Sequence, residues 1–259
     1  MRRPLIIGNW KLHGSKQLVA SLINELQQQL ASKPVNCDIA IAPPVLFLDQ
    51  ATHLLGPASS LALAVQNVDL HDSGAFTGEI AASMLPEFAV QYVIIGHSER
   101  RCYHQESNSV IAEKFIQVKR AGLTPVLCLG ETSEQRARGE TERICSEQLA
   151  QIVRQAGAAA LQNSVIAYEP IWAIGSGQAA TAEQAQAVHH YLRRFLVQQD
   201  AMLASSMRLL YGGSVSENNA SNLYSMPDID GFLVGGASLQ ACSFATIIRQ
   251  MVDNKAKTL

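Results

Sequence analysis

The chain has 259 residues, 47% of them hydrophobic and 16% charged, with a net charge of -2 at pH 7. That profile excludes a disordered chain. It offers no basic excess to a nucleic acid or an anionic membrane, although a small anion needs only one local site. The cysteines Cys37, Cys102, Cys128, Cys145 and Cys242 form no CxxC pair. Neither a disulfide framework nor a cysteine zinc site is expected, and the usage fits a reducing cytoplasm. The apolar stretch Leu5–Gly8 is too short for a signal-peptide core. No run reaches the roughly 18 apolar residues of a membrane helix. A cytoplasmic protein without membrane segments is expected.

In chain order, short apolar runs alternate with longer amphipathic stretches. The first run, Leu5–Asn9, precedes residues 16–31, where Leu18, Val19, Leu22, Ile23, Leu26 and Leu30 fall at helical spacing. Runs at Ile39–Ala42, Leu61–Gln66 and Tyr92–Ile95 follow, then a helical stretch at 106–121 with Val110, Ile111, Phe115 and Val118. Pro125–Leu129 and Val165–Tyr168 are the fifth and sixth runs. Thr181 with Gln184 makes a capping-box start for a helix through residue 199. Arg208–Tyr211 is followed by Ser216, a candidate cap, and Gly231–Val234 is the eighth run. Most runs are continuous hydrophobics, as strands are when both faces of a parallel sheet are covered by helices. Such alternation predicts an α/β fold, a closed (β/α)8 barrel rather than an open sheet. No linker or charge run marks a boundary, so residues 1–259 are expected to form a single barrel domain with a fraying tail at Asp253–Leu259.

Active sites of such barrels lie at the C-terminal ends of the strands, and polar residues gather there. After the first run come Asn9, Trp10 and Lys11. Lys11 reads as a fixed positive charge, as a Schiff-base nucleophile, or as a lysine leaving the sheet for solvent. After the fourth run comes His97, in Gly96-His97-Ser98-Glu99-Arg100-Arg101. It is either a proton-transfer group, kept neutral by a helix N-terminus, or a hydrogen-bonded structural histidine. His189 and His190 fall within a helix as surface or packing residues; His13, His53, His71 and His104 read as loop or helix-surface residues. No spacing suggests a metal site.

After the sixth run, Pro170 keeps Glu169 extended. Against apolar walls that carboxylate would have a raised pKa and could act as a base; the alternative is a salt-bridged structural glutamate. The segment Ile171-Trp172-Ala173-Ile174-Gly175-Ser176-Gly177 suits a closing lid or an ordinary packed loop. Gly212-Gly213-Ser214 and Gly235-Gly236-Ala237-Ser238 follow the seventh and eighth runs. Glycine-rich loops leave N–H groups open to an oxyanion, with Ser238 as a possible helix start. Two such loops at these positions point to phosphate.

Gly8-Asn9-Trp10-Lys11, Gly96–Arg101, Tyr168–Gly177, Tyr211–Val215 and Leu233–Ser238, together with Gln66-Asn67 and Asp72-Ser73-Gly74-Ala75-Phe76-Thr77-Gly78-Glu79, resemble the triosephosphate isomerase family. The resemblance runs from near residue 4 to near residue 250. It implies a cofactor-free, metal-free TIM barrel that interconverts dihydroxyacetone phosphate and D-glyceraldehyde 3-phosphate in glycolysis and gluconeogenesis. It implies that Glu169 moves the proton and His97 polarises the carbonyl, while Lys11 supplies charge and Asn9 orients the substrate. Gly175, Ser214, Leu233, Gly235 and Gly236 would bind the phosphate end, residues 170–178 would form the lid, and Glu99 would support His97. The 72–78 loop would insert into a second subunit of a homodimer, with Thr77 reaching its active site. Three departures stand out: Leu12-His13 for Met-Asn, Ser176 for threonine and Gln178 for lysine. An aldolase-like Schiff base at Lys11 or a non-catalytic sugar-phosphate binder are the competing readings.

Overall fold

Eight parallel strands pair in chain order and close on themselves. They are β1 (Leu5–Asn9), β2 (Asp38–Ala42), β3 (Leu61–Val65), β4 (Val90–Ile95), β5 (Thr124–Leu129), β6 (Val165–Tyr168), β7 (Arg208–Tyr211) and β8 (Gly231–Val234). Residue Leu5 of β1 stands opposite both Asp38 of β2 and Gly231 of β8, which is the closure. This computed structural model describes residues 2–31, 35–174 and 179–253.

Strand alternation makes two cores from one apolar pattern. Leu5, Ile7, Ala40, Ala42, Ile94, Val126, Ala167 and Leu210 point into the barrel. Ile6, Ile39, Ile41, Val93, Leu127 and Ile166 point outward against the helices. Both sets exclude water, so the runs look continuously hydrophobic.

The covering helices are α1 (Lys16–Ala31), α2 (Leu48–Leu55), α3 (Ser98–Tyr103), α4 (Asn108–Arg120), α5 (Ser133–Ala137), α6 (Thr141–Ala156), α7 (Ala182–Gln199), α8 (Ala201–Ser206), α9 (Ala220–Ser225) and α10 (Ala241–Asp253). In α1, Val19, Leu22, Ile23, Leu26 and Leu30 form the buried stripe. The capping box at Thr181 and Gln184 starts α7 as expected. Two expected helix starts are corrected. The helix after β7 begins at Ala220 with Asn219 at its cap position. Ser216 instead uses its carbonyl to accept the Asn219 and Ala220 N–H groups. The turn after β8 is Gly236–Leu239, so Ser238 lies inside it and donates its hydroxyl to the Gly235 carbonyl at 2.7 Å.

A buried ionic network fixes the N-terminal ends of β7 and β8. Arg193 of α7 donates to Asp228 at 3.1 Å, to Asp230 at 2.7 Å, and to the carbonyls of Ala204 and Met207 at 2.7 and 2.6 Å. Asp230 also accepts the Leu209 N–H at 2.9 Å. Beside it, His189 is fully buried, donates through Nδ1 to the Asp228 carbonyl at 3.1 Å, and meets the Tyr168 ring edge-on. His190, the next residue, is exposed.

Burial pushes the His189 pKa down to about 4. The folded state therefore stays neutral there while the unfolded chain takes up a proton below about 6.5. Between those values the unfolded state binds more protons, so stability falls as pH falls from about 6.5 to about 4. We expect His189→Gln to flatten that slope by up to about 3 kcal/mol, read as the difference in urea unfolding between pH 7 and pH 4.5.

Candidate active site

The C-terminal ends of β1, β4, β6, β7 and β8 surround a cavity of about 280 Å³. Asn9, Lys11, His97, Glu169, Gly212, Gly213, Ser214, Leu233, Gly235 and Gly236 all line it. Gly175, Ser176 and Gln178 lie outside the described residues. A larger hollow of about 560 Å³, lined by Arg3, Cys37, Asp38 and Tyr92 among others, holds none of these candidates.

Glu169 is 2% exposed at the end of β6. Its N–H donates to the Leu129 carbonyl at 2.8 Å, continuing the β5 ladder one residue past the strand. Gly130 passes so close that a Cβ there would overlap the Glu169 carbonyl oxygen, so only glycine lets the two strand ends meet. The Glu169 carboxylate accepts the Ser98 N–H at 2.9 Å and lies 2.9 Å from His97 Nε2.

His97 is the N-cap of α3, and its Nδ1 accepts the Glu99 N–H at 3.2 Å. In the neutral ring this bond fixes the tautomer, with the proton on Nε2 facing Glu169. Direct pairing between the two sets the direction of both pKa shifts. Burial alone would raise that of Glu169, but His97, the Ser98 N–H and Lys11 together lower it. Burial lowers that of His97, and the Glu169 and Glu99 carboxylates outweigh it, so it is raised. The expectation of a raised Glu169 pKa is thus reversed, because His97 rather than an apolar wall faces the carboxylate.

Lys11 has φ of 51°, in the left-handed region. Its N–H donates to Asn9 Oδ1 at 3.1 Å, and its ammonium pairs with Glu99 at 2.6 Å. A Cβ at Gly235 would sit 3.4 Å from Lys11 Cε, so that loop lies against the lysine stem. The other Glu99 oxygen, Oε2, lies 3.6 Å from His97 Nδ1. Ser214 Oγ donates to the Ala173 carbonyl at 2.7 Å, tying the β7 loop to the segment after Glu169.

That segment has an anchor which the motif reading passed over. Glu131, fully buried after β5, accepts hydrogen bonds from Tyr168 at 3.1 Å and Trp172 Nε1 at 3.0 Å. The Arg136 guanidinium lies 4.3 Å from the Trp172 ring centroid and 3.4 Å from Glu131. The position of Glu131 two residues past the end of the fifth run, where the polar residues of the other strands also gather, is the sequence signal for it.

Thr77 is exposed and does not line the cavity of its own chain. In its loop, Phe76 stacks on His71 with ring centroids 3.5 Å apart. Leu12, Leu46, Phe76 and Tyr103 are exposed apolar residues beyond the first four strands in turn. The described residues hold no group of three or more potential metal ligands and no helix long and apolar enough to cross a membrane.

Comparison with known proteins matches the sequence to one family. Residues 4–251 match the family model described as Triosephosphate isomerase. The chain is 53% identical to the triosephosphate isomerase of Serratia proteamaculans over 249 residues, covering 96% of this chain and 97% of that one. It is 52% identical to that of Sodalis glossinidius and 51% identical to that of Haemophilus ducreyi, each over 98% of this chain and 99% of the relative. A strand-end lysine, histidine and glutamate around one pocket, in a chain that matches along nearly its whole length, make this protein a member of the triosephosphate isomerase family.

Proposed function

We propose that this chain interconverts dihydroxyacetone phosphate and D-glyceraldehyde 3-phosphate through an enediolate, serving glycolysis and gluconeogenesis, with Glu169 as base and His97 as electrophile. The observation that carries the assignment is their meeting in one pocket with Lys11, opposite two glycine-rich loops. A hydrogen next to a carbonyl is weakly acidic, so its removal needs a base and a charge-stabilising donor together. Glu169 takes the proton from one carbon and returns it to the neighbouring one. His97, donating from Nε2, polarises the carbonyl and shuttles protons between the two oxygens. Lys11 stabilises the developing negative charge, Asn9 orients the substrate, and Glu99 holds both Lys11 and His97. Gly175, Ser214, Leu233, Gly235 and Gly236 receive the phosphate end.

The direct contact between Glu169 and His97 adds a condition. Substrate must separate the pair before either group can act. Separation removes the partner that holds each pKa off its burial-driven course. Glu169 then becomes a stronger base, and His97 settles into the neutral form whose tautomer the Glu99 amide fixes. The two triose phosphates have the same oxidation state, so the balanced reaction takes no electron carrier, and the reading assigns no cofactor to it. An exposed enediolate phosphate would eliminate phosphate. Residues 170–178 are assigned to a lid that excludes water, its leading end held by Glu131 through Trp172.

The same reading makes the whole of 1–259 one domain and the working form a cytoplasmic homodimer through the 72–78 loop, with Thr77 reaching the other site. The exposed apolar residues beyond four successive strands support that surface. Neither nucleic acid nor membrane is a partner. Purified protein should convert glyceraldehyde 3-phosphate to dihydroxyacetone phosphate and sediment as a dimer. A folded protein that binds the triose phosphate without turnover would favour a binder. A borohydride-trapped adduct on Lys11 would favour an aldolase-like catalyst.

A further inference from the structure

The left-handed backbone of Lys11 is held from both sides. For a residue other than glycine, such a conformation persists only where its surroundings over-determine it. Asn9 Oδ1 takes the Lys11 N–H at 3.1 Å. The Lys11 carbonyl accepts Gln66 Nε2 at 2.9 Å, and the same nitrogen donates to the Ala42 carbonyl at 2.8 Å. Two carbonyl oxygens at those distances are both satisfied only by the NH2 end of the amide. The Ala42 carbonyl, at the end of β2, also accepts the Trp10 N–H at 3.1 Å. One side chain from the end of β3 thus clips the strained residue to its neighbouring strand. Among the described residues, no other group donates to the Lys11 carbonyl.

We propose that Gln66 is a positioning residue for catalysis: by clamping the Lys11 backbone to the end of β2, it aims the Lys11 ammonium into the pocket between Glu99 and Gly235. This rests on the reading of Lys11 given above and extends it. Removing the clamp frees a strained carbonyl, lets φ relax, and swings the stem that carries the charge. Misplacement of a catalytic group by about 1 Å costs on the order of 10²-fold in rate.

The test compares Gln66→Leu and Gln66→Glu with Lys11→Met and with Asn67→Ala as control. All are assayed as the full chain at a concentration where sedimentation matches wild type. Asn67 is the next residue and holds Lys114 at 2.9 Å, away from Lys11. Expected for Gln66→Leu is a KM raised about 10-fold and a kcat/KM lowered on the order of 10²-fold, with a shifted Lys11 13Cε signal. Gln66→Glu should behave alike at pH 8 and recover, relative to wild type, only as pH falls toward the carboxyl pKa of about 4.3, where the introduced group regains one hydrogen to donate. Asn67→Ala should lower the melting temperature while leaving KM and the Lys11 signal unchanged.

Gln66 variants with wild-type KM and an unshifted Lys11 signal would overturn the inference. So would the same kinetic pattern in Asn67→Ala, which would mark a general loosening of the loop. Wild-type turnover by Lys11→Met would overturn the Lys11 assignment itself, and so keeps the two failures apart.

Discussion

Glu169→Asp is expected to lower kcat by on the order of 10²- to 10³-fold, equivalent to about 3–4 kcal/mol of transition-state stabilisation. The substitution keeps the charge and withdraws it by one methylene from a position fixed by three elements. These are the β5 ladder bond to Leu129, the Ser98 N–H and His97. KM should change little, because the carboxylate does not hold the phosphate. Steady-state kinetics on both proteins decide the matter, with circular dichroism to confirm the fold. A fall of less than about 5-fold would contradict a proton transfer that depends on the placement of this carboxylate, since misplacement by about 1 Å costs on the order of 10²-fold.

The largest expected loss of stability is at Arg193. Arg193→Ala removes the buried cation shared by Asp228 and Asp230, leaving Asp230 to Arg2 at 2.7 Å and Asp228 to Gln186 at 2.7 Å, and uncouples the carbonyls of Ala204 and Met207. Removing one partner from a buried ionic network costs about 3–5 kcal/mol, because the remaining carboxylates stay buried with less compensation and the two carbonyls lose their donor. Urea unfolding at pH 7 should show that loss, with a melting temperature lower by roughly 10 °C. A change below about 1 kcal/mol would mean that water relaxes around the carboxylates and that the network is peripheral. Activity reads a second consequence. Asp230 leads into β8 and accepts the Leu209 N–H of β7, the two strands that carry the glycine-rich loops.

The barrel was legible because strands buried on two faces leave an unbroken apolar signature, and all eight runs became strands. Three starts moved by one or two residues, to Asp38, Val90 and Thr124, since periodicity does not mark where pairing begins. Ser216 looked like a cap because hydroxyl residues often are. The chain turns once more before α9, and no local pattern encodes that extra turn. The pocket residues were legible from strand-end position and motif together. Their protonation was not: the pKa shifts follow from a 2.9 Å approach between residues 72 positions apart. Gln66 stood in a matched motif, yet its role depends on the φ of Lys11, which sequence does not display. Arg193 and its partners at the other end of β7 were invisible as well, being joined by the packing of α7 beside the starts of β7 and β8 rather than by spacing.

The most direct measurement is proton NMR of dihydroxyacetone phosphate incubated with the wild-type protein in deuterium oxide. A single carboxylate on one face of the substrate can reach only one of the two hydrogens on the hydroxymethyl carbon. Glyceraldehyde 3-phosphate should appear, and the remaining ketose should gain deuterium at one of those hydrogens only. No conversion by folded protein, or equal exchange of both hydrogens, would contradict an enediolate formed by Glu169.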